Sequence, residues 1–403
     1  VDFDAVVAAI SFQQLRLFES VGRLESVRRG SEECNLSQPA VTQALSKLEH
    51  LIGFTLLERR ASGSYLTEIG SLLHVRTQRM FAQLEAAVLA VGATAQHEQA
   101  IAVVHRLSRS QARTLIAIIE HGALADAAAA LGLTDASLQR SSRDLEGNIG
   151  RPLFYRSAVG LTVRPEGVLF GNRLKLAMQE VELGISEIKA SAGGKQRHLV
   201  IGALPFGGVL LLSDVLNDFL ARHPEAEIRV VSDSTPEMIR RLRAGDVDLL
   251  LGIVQDEAAD DLRNERLSAT PFCIAARKDH PLAGQRNIQL ADLAAYDWIV
   301  GTEGSTRRSC FKSLFKGPHC PKASLATSSL TIVRNLLTVS NRLTIITSFE
   351  LASESDQLVA LPYALDGGCP FIGVTMRADW LPTRLQNEFL RALVAASAGR
   401  VDF

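Results

Sequence analysis

Downstream of Ser37 the spacing predicts a helix with two unlike faces. Successive helical residues lie about 100° apart, so Pro39, Thr42, Gln43, Ser46 and Lys47 share one side. Val41, Ala44, Leu45 and Leu48 share the other. The first face is small, polar and carries one cation, which suits an element entering a major groove. There Gln43 and Lys47 can read base edges, while Ser and Thr hydroxyls hold phosphates. Ser37 is a good N-cap, and Gln38 and Pro39 fit a first turn. A shorter helix from about Glu25 to Cys34, joined through Asn35 and Leu36, completes a helix-turn-helix. Arg59, Arg60 and Gly63 follow as a wing able to touch the flanking backbone. A helical hairpin with a merely solvated outer face has the same periodicity, so the face alone leaves both readings open.

Other chemistries find less support. No nucleophile stands with a base, and no carboxylate pair is evident. His198, His280 and His319 have no evident partner. The five cysteines (Cys34, Cys273, Cys310, Cys320 and Cys369) form no C-x-x-C and no zinc spacing, so reduced thiols and no metal or cofactor are expected. Cys310 and Cys320 are the one candidate redox pair. The net charge of −1 argues against a uniformly basic coat but leaves room for a local basic face. No charge-free apolar run reaches about 18 residues, so no membrane span is expected. The opening VDFDAVVAAISF has no positive n-region of a signal peptide. It also lacks an initiator Met, so the chain start is expected to be trimmed. A cytoplasmic protein is expected.

The elements around these residues occur twice. SQPAVTQALSKLEHLIGFTLLERR, from Ser37, returns as TDASLQRSSRDLEGNIGRPLFYRS, from Thr134. Leu48 falls on Leu145, Gly53 on Gly150, Arg59 on Arg156 and Gly70 on Gly167 at one constant offset. Each copy ends in a long helix, about Thr67–Val91 and about Pro165–Ala190. Both carry apolar residues at helical spacing: Leu72, Leu73, Met80, Leu84 and Val88 in the first, and Leu169, Leu176, Val181 and Ile185 in the second. Such a stripe must be covered, and a partner chain, giving a homodimer or homotetramer, is the expected cover. Residues 191–197 (SAGGKQR) read as a hinge linker. Beyond them apolar strands alternate with amphipathic helices, which predicts an α/β domain with a mainly parallel sheet.

SQPAVTQALSKLEHLIGFTLLERR with LTEIG at 66–70 resembles the winged helix-turn-helix of LysR-type transcriptional regulators very closely. The long helix after it matches that family's dimerising linker helix. The stretch from about Leu199 to Leu393 is similar to its effector-binding domain. The resemblance implies a multidomain α + α/β chain: winged helix and linker helix over 1–96, a divergent second set over 97–190, the hinge over 191–197, and an effector domain over 198–403. The last has the periplasmic-binding-protein-like fold, with subdomain I at about 198–268 and 364–396 and subdomain II at about 269–363. The second winged helix departs from the family, whose typical member has one. Gly30-Ser31 stands where an alanine pair is usual, a pair that copy two has at Ala127-Ala128.

Copy two keeps the frame through Leu131, Leu133, Leu138, Leu145, Gly150 and Phe154. Asp135 would repel phosphate, Ser142 replaces Leu45, and Arg164 stands where copy one has Thr67. The wheel turns Ala136, Gln139, Arg140, Arg143 and Asp144 outward. Three readings stay open: DNA contact through Gln139, Arg140 and Arg143, a spacer or dimerisation module without DNA contact, or binding of something else.

In the α/β half, ligands are expected between subdomains, at strand ends and helix starts. Candidate contacts are Phe206, Gly207 and Gly208; Ser234 and Thr235; Thr302, Ser305 and Thr306; and Ser328 and Ser329. Single Ser and Thr residues at helix starts are often only caps. Arg307 and Arg308 read as solvated surface. Apolar Leu204, Pro205 and Phe206, with the glycine N–H groups, point to an aromatic or carboxylate-bearing metabolite. The expected function is a DNA-binding regulator controlled by that effector, with double-stranded DNA as partner. An enzyme or solute-binding module on the binding-protein fold, and a pure protein-interaction module, are the rivals.

Overall fold

The computed structural model describes residues 3–157, 160–191, 193, 198–204, 208–254, 258–316, 320–365 and 369–398. It divides into two units, Val1–Gln196 and Arg197–Phe403.

The first unit holds both copies. Copy one is α1 (Phe3–Ala9), α2 (Phe12–Leu24), α3 (Val27–Glu33), α4 (Gln38–Ile52), β1 (Leu57–Arg60), β2 (Gly63–Leu66) and α5 (Glu68–Ala90). Copy two is α6 (His97–Val104), α7 (Arg109–His121), α8 (Leu124–Leu131), α9 (Asp135–Ile149), β3 (Phe154–Ser157), β4 (Gly160–Val163) and α10 (Pro165–Ser191). The same local devices recur at the same positions. Ser11 and Ser108 start α2 and α7 with capping boxes, closed by Gln14 and Gln111. Gly53 and Gly150 end α4 and α9 in the left-handed region. A carboxylate oxygen of Glu49 accepts the Leu56 and Leu57 N–H groups at 2.8 and 3.1 Å. Glu146 does the same for Leu153 and Phe154 at 2.7 and 3.0 Å, so each wing is tied to the helix before it, α4 or α9. A Cβ at Gly70 would lie 2.0 Å from the Leu56 carbonyl oxygen, and one at Gly167 2.5 Å from that of Leu153. Only glycine admits that approach of long helix to wing.

One hydrophobic core runs through both copies. Leu73, Met80, Leu84 and Val88 of α5 are fully buried, as are Val181 and Ile185 of α10, because the two long helices pack on each other. The stripe expected to need a second chain is therefore covered by the other copy. Leu72 and Leu169, expected in it, are instead exposed. The exchange is reciprocal: α6, which leads into copy two, packs on α5, and α1, which leads into copy one, packs on α10.

The second unit contains β5 (His198–Ala203), α11 (Val209–Arg222), β6 (Glu227–Val231), α12 (Thr235–Ala244), β7 (Leu249–Val254) and β8 (Leu262–Ala269). Then come β9 (Phe272–Arg277), α13 (Leu290–Ala294), β10 (Trp298–Val300), α14 (Thr306–Leu314), β11 (Leu325–Ala326) and α15 (Leu330–Thr338). It ends with β12 (Leu343–Thr347), α16 (Ser348–Ser353), β13 (Leu358–Ala360), β14 (Phe371–Arg377) and α17 (Arg384–Ala398). Two five-stranded sheets form, ordered β6-β5-β7-β14-β8 and β11-β10-β12-β9-β13. The chain crosses from the first to the second between β8 and β9 and returns between β13 and β14. These crossings correct the expectation of mainly parallel sheets. β14 runs antiparallel to β7 and β8, and β9 antiparallel to β12 and β13, so only the βα-built half of each sheet is parallel. The Thr270 N–H donates to the Pro370 carbonyl at 2.8 Å and ties the two crossings together. No described helix is long and apolar enough to cross a membrane.

Candidate DNA-reading helices and effector cavity

In α4 the apolar face sinks into the core: Val41 and Leu48 are fully buried, Leu45 nearly so, and Ala44 packs against them. Ser37 caps the helix, its hydroxyl accepting the Ala40 N–H at 3.4 Å. Gln38, Pro39, Gln43, Ser46 and Lys47 are exposed, and Thr42 is half-buried. In the wing, Arg60 pairs with Glu58 at 2.8 Å and lies over the Tyr65 ring. Arg59 is exposed on the same strand.

In α9 the frame is preserved and the outer face altered. Leu138 and Leu145 are fully buried. Ser142 is also fully buried, and its hydroxyl donates to the Leu138 carbonyl at 2.9 Å, which satisfies the polar group that replaces Leu45. Arg140 and Arg143 are exposed, flanked by exposed Asp135 and Asp144. Gln139, expected outward, is half-buried, and Leu133, expected in the frame, is 40% exposed. Arg156, the counterpart of Arg59, forms an ion pair with Glu146. Arg164 shows what the missing threonine changes. Thr67 caps α5 by accepting the Gly70 N–H at 2.8 Å, whereas the Arg164 guanidinium stacks on the Tyr155 ring at 4.3 Å.

Within the second unit a cavity of about 810 Å³ opens between the sheets. Leu204 lines it after β5, Ser234 and Thr235 at the start of α12, Thr302, Ser305 and Thr306 leading into α14, and Ser328 before α15. Ser305 is occupied as the α14 cap, accepting the Arg308 N–H and donating to the Thr302 carbonyl. Ser234 heads α12 without a side-chain cap bond. Two expected residues do not line the cavity. Ser329 faces α15 as its cap, accepting the Ile332 N–H, and Gly208 is buried at the head of α11 against Ile372. Phe206 and Gly207, with Pro205 and His319, lie outside the described residues, as does most of the hinge linker.

Arg307 was expected at the solvated surface; the structure buries it in the cavity wall, 3% exposed. Its Nε donates to the Ile345 carbonyl at 2.6 Å, Nη2 to the Thr344 hydroxyl at 2.9 Å and Nη1 to the Thr327 carbonyl at 3.4 Å. Those acceptors sit on β12 and after β11, so only the fold could supply them. Desolvation pushes its pKa down to about 10, opposed by the nearby Glu350 carboxylate, and it stays cationic at neutral pH. Burial pushes the Glu350 carboxyl up to about 7. It pushes the Cys273 thiol up to about 12, which makes that thiol unreactive. His280 is structural: its ring bonds the Asn341 carbonyl and the Leu282 N–H, and burial lowers its pKa. Among the described residues no His/Cys/Asp/Glu group could hold a metal.

The family models agree with this arrangement. "Bacterial regulatory helix-turn-helix protein, lysR family" matches residues 12–71 and again residues 110–167. "LysR substrate binding domain" matches residues 192–398. The HTH-type transcriptional regulator GalR of Pseudomonas putida is 31% identical over 380 residues, covering 92% of this chain and 93% of GalR. GbpR of Rhizobium radiobacter is 26% identical, covering 58% of this chain and 78% of GbpR. Among solved structures, a full-length OxyR variant from Pseudomonas aeruginosa shares the fold, with a TM-score of 0.53 and 18% identity over 72% of this chain and 93% of that one. The chain belongs to the LysR family. It is a LysR-type DNA-binding transcriptional regulator with a C-terminal effector-binding domain, and not an enzyme.

Proposed function

We propose that α4 is the principal DNA reader, with Gln43 and Lys47 at base edges and Ser37, Gln38, Thr42, Ser46, Arg59 and Arg60 at phosphates. The observation that carries this reading is the exposed polar face of α4 opposite a fully buried one. Copy two adds weak contacts through Arg140 and Arg143, since the flanking Asp135 and Asp144 cancel their charge toward a polyanion. The effector sits in the 810 Å³ cavity. Hydroxyls of Ser234, Thr306 and Ser328 and the apolar wall of Leu204 and Leu250 suit a small metabolite with an apolar body, and the Arg307 cation favours a carboxylate on it. Binding there changes the angle between the subdomains and, by linkage, how the heads lie on the operator. The protein works in the cytoplasm. The test is a mobility-shift and salt titration of Gln43→Ala/Lys47→Ala, with thermal shift against a panel of aromatic and aliphatic carboxylates. Wild-type binding by the double variant would refute the α4 assignment. A melting temperature that no carboxylate raises would refute the effector chemistry.

A further inference from the structure

We propose that the α5–α10 pair is a dimer interface closed within one chain. One chain, not two, then forms the complete two-headed unit, and copy two takes the place of a second subunit at this interface. The proposal is independent of which residues touch DNA.

The pairing is built on charges that the two helices do not share. Arg76 of α5 is 2% exposed and meets Glu180 and Glu187 of α10, each at 2.9 Å. Glu180 is 5% exposed and also receives Arg79 at 2.9 Å and the Gln83 amide at 3.3 Å. In the repeat alignment Glu180 corresponds to Gln83, so a position meets its own counterpart, as happens beside a two-fold axis. The mutual packing of α6 on α5 and α1 on α10 has the same symmetry. Arg109, at the start of α7, also reaches across to the Ile10 carbonyl at 3.2 Å.

The symmetry fails where it matters for choosing a partner. A second α5 in the place of α10 would offer Gln83 for Glu180 and Ala90 for Glu187, leaving the buried Arg76 without a carboxylate. It would also bring Ala87 to the place of Gly184, where a Cβ would lie 3.1 Å from the Arg76 stem. Copy one therefore selects copy two over another copy of itself. The short connection from α5 to α6 keeps that partner within the same chain.

The test asks for rescue in cis against rescue in trans, on full-length protein. Arg76→Glu/Arg79→Glu is expected to lower the melting temperature by about 10 °C, because it sets like charges together in a buried site. Adding Glu180→Arg and Glu187→Arg to the same chain reverses both sides of the pairing and is expected to recover most of that loss. An equimolar refolded mixture of the Arg76→Glu/Arg79→Glu chain and the Glu180→Arg/Glu187→Arg chain is expected to recover none. Recovery in the mixture would overturn the proposal in favour of exchange between chains, and no recovery in cis would overturn the pairing itself. The milder Arg76→Lys variant keeps the charge and gives an amine that a zero-length carbodiimide can join to Glu180 or Glu187. With nitrogen-15-labelled and unlabelled chains refolded together, every linked peptide pair is expected to be wholly light or wholly heavy. Mixed pairs, or no link between these segments, would overturn it.

Discussion

In copy one, α4 offers Gln43, Ser46 and Lys47 with no acid on the exposed face, and Arg59 stands exposed beside it. In copy two, α9 offers Arg140 and Arg143 between Asp135 and Asp144, and Arg156 is paired to Glu146. The scaffold beneath them is the same to the level of individual hydrogen bonds: Glu49 and Glu146 hold the wings, and Gly70 and Gly167 admit the same carbonyl. Positions that build the domain and positions proposed to meet DNA thus differ separately between the copies. Copy two has kept what packing demands, because α10 must still cover α5, and has lost much of what a polyanion demands.

The largest expected difference between the copies is in specific DNA binding. Gln43→Ala and Lys47→Ala should each cost about 1–3 kcal/mol on the selected site, Gln43→Ala with little change on random DNA. Arg140→Ala/Arg143→Ala should leave the copy-one half-site protected, shorten the footprint and flatten the slope of log affinity against log salt by roughly one to two units. Equal losses from the two double variants would erase the distinction between reader and helper, and an unchanged slope would make copy two a spacer.

A subtler change should move copy two toward copy one. Glu146→Gln keeps an oxygen for the Leu153 and Phe154 N–H groups but releases Arg156, so the salt slope should steepen by about 0.9. Glu49→Gln should leave the slope where it was, because Arg59 has no such tie to release. The smallest effect concerns the caps. Thr67→Ala should lose about 1 kcal/mol of stability in chemical denaturation, and Arg164→Ala about as much, from the Tyr155 stacking together with the Nε hydrogen bond to the Phe154 carbonyl.

The two faces of α4, on which the candidate site rests, could be read before folding because their signals are local. Ser37, Val41, Leu45 and Leu48 lie within four turns of one helix, and their spacing states which side is buried. The duplication was visible for the same reason, as matched residues at a constant offset. Arg307 was misread because its partners Thr327, Thr344 and Ile345 lie on other elements and present backbone oxygens, which no side-chain pattern reveals. Ser329 and Ser328 look alike in sequence, yet one caps a helix and the other lines the cavity.

By itself the sequence determined the tandem winged helices, the outer face of α4 and the alternation that makes the second unit α/β. Periodicity within one helix, or a strand followed by a helix, is enough to specify each of these. Tertiary structure alone decided that the stripes of α5 and α10 cover each other, that Arg307 is held in a wall, and that the crossings make both sheets mixed. An apolar stripe specifies that it must be buried but not against what. That choice is made by chain connection and by which buried charges can be paired, as Arg76 is paired by Glu180 and Glu187.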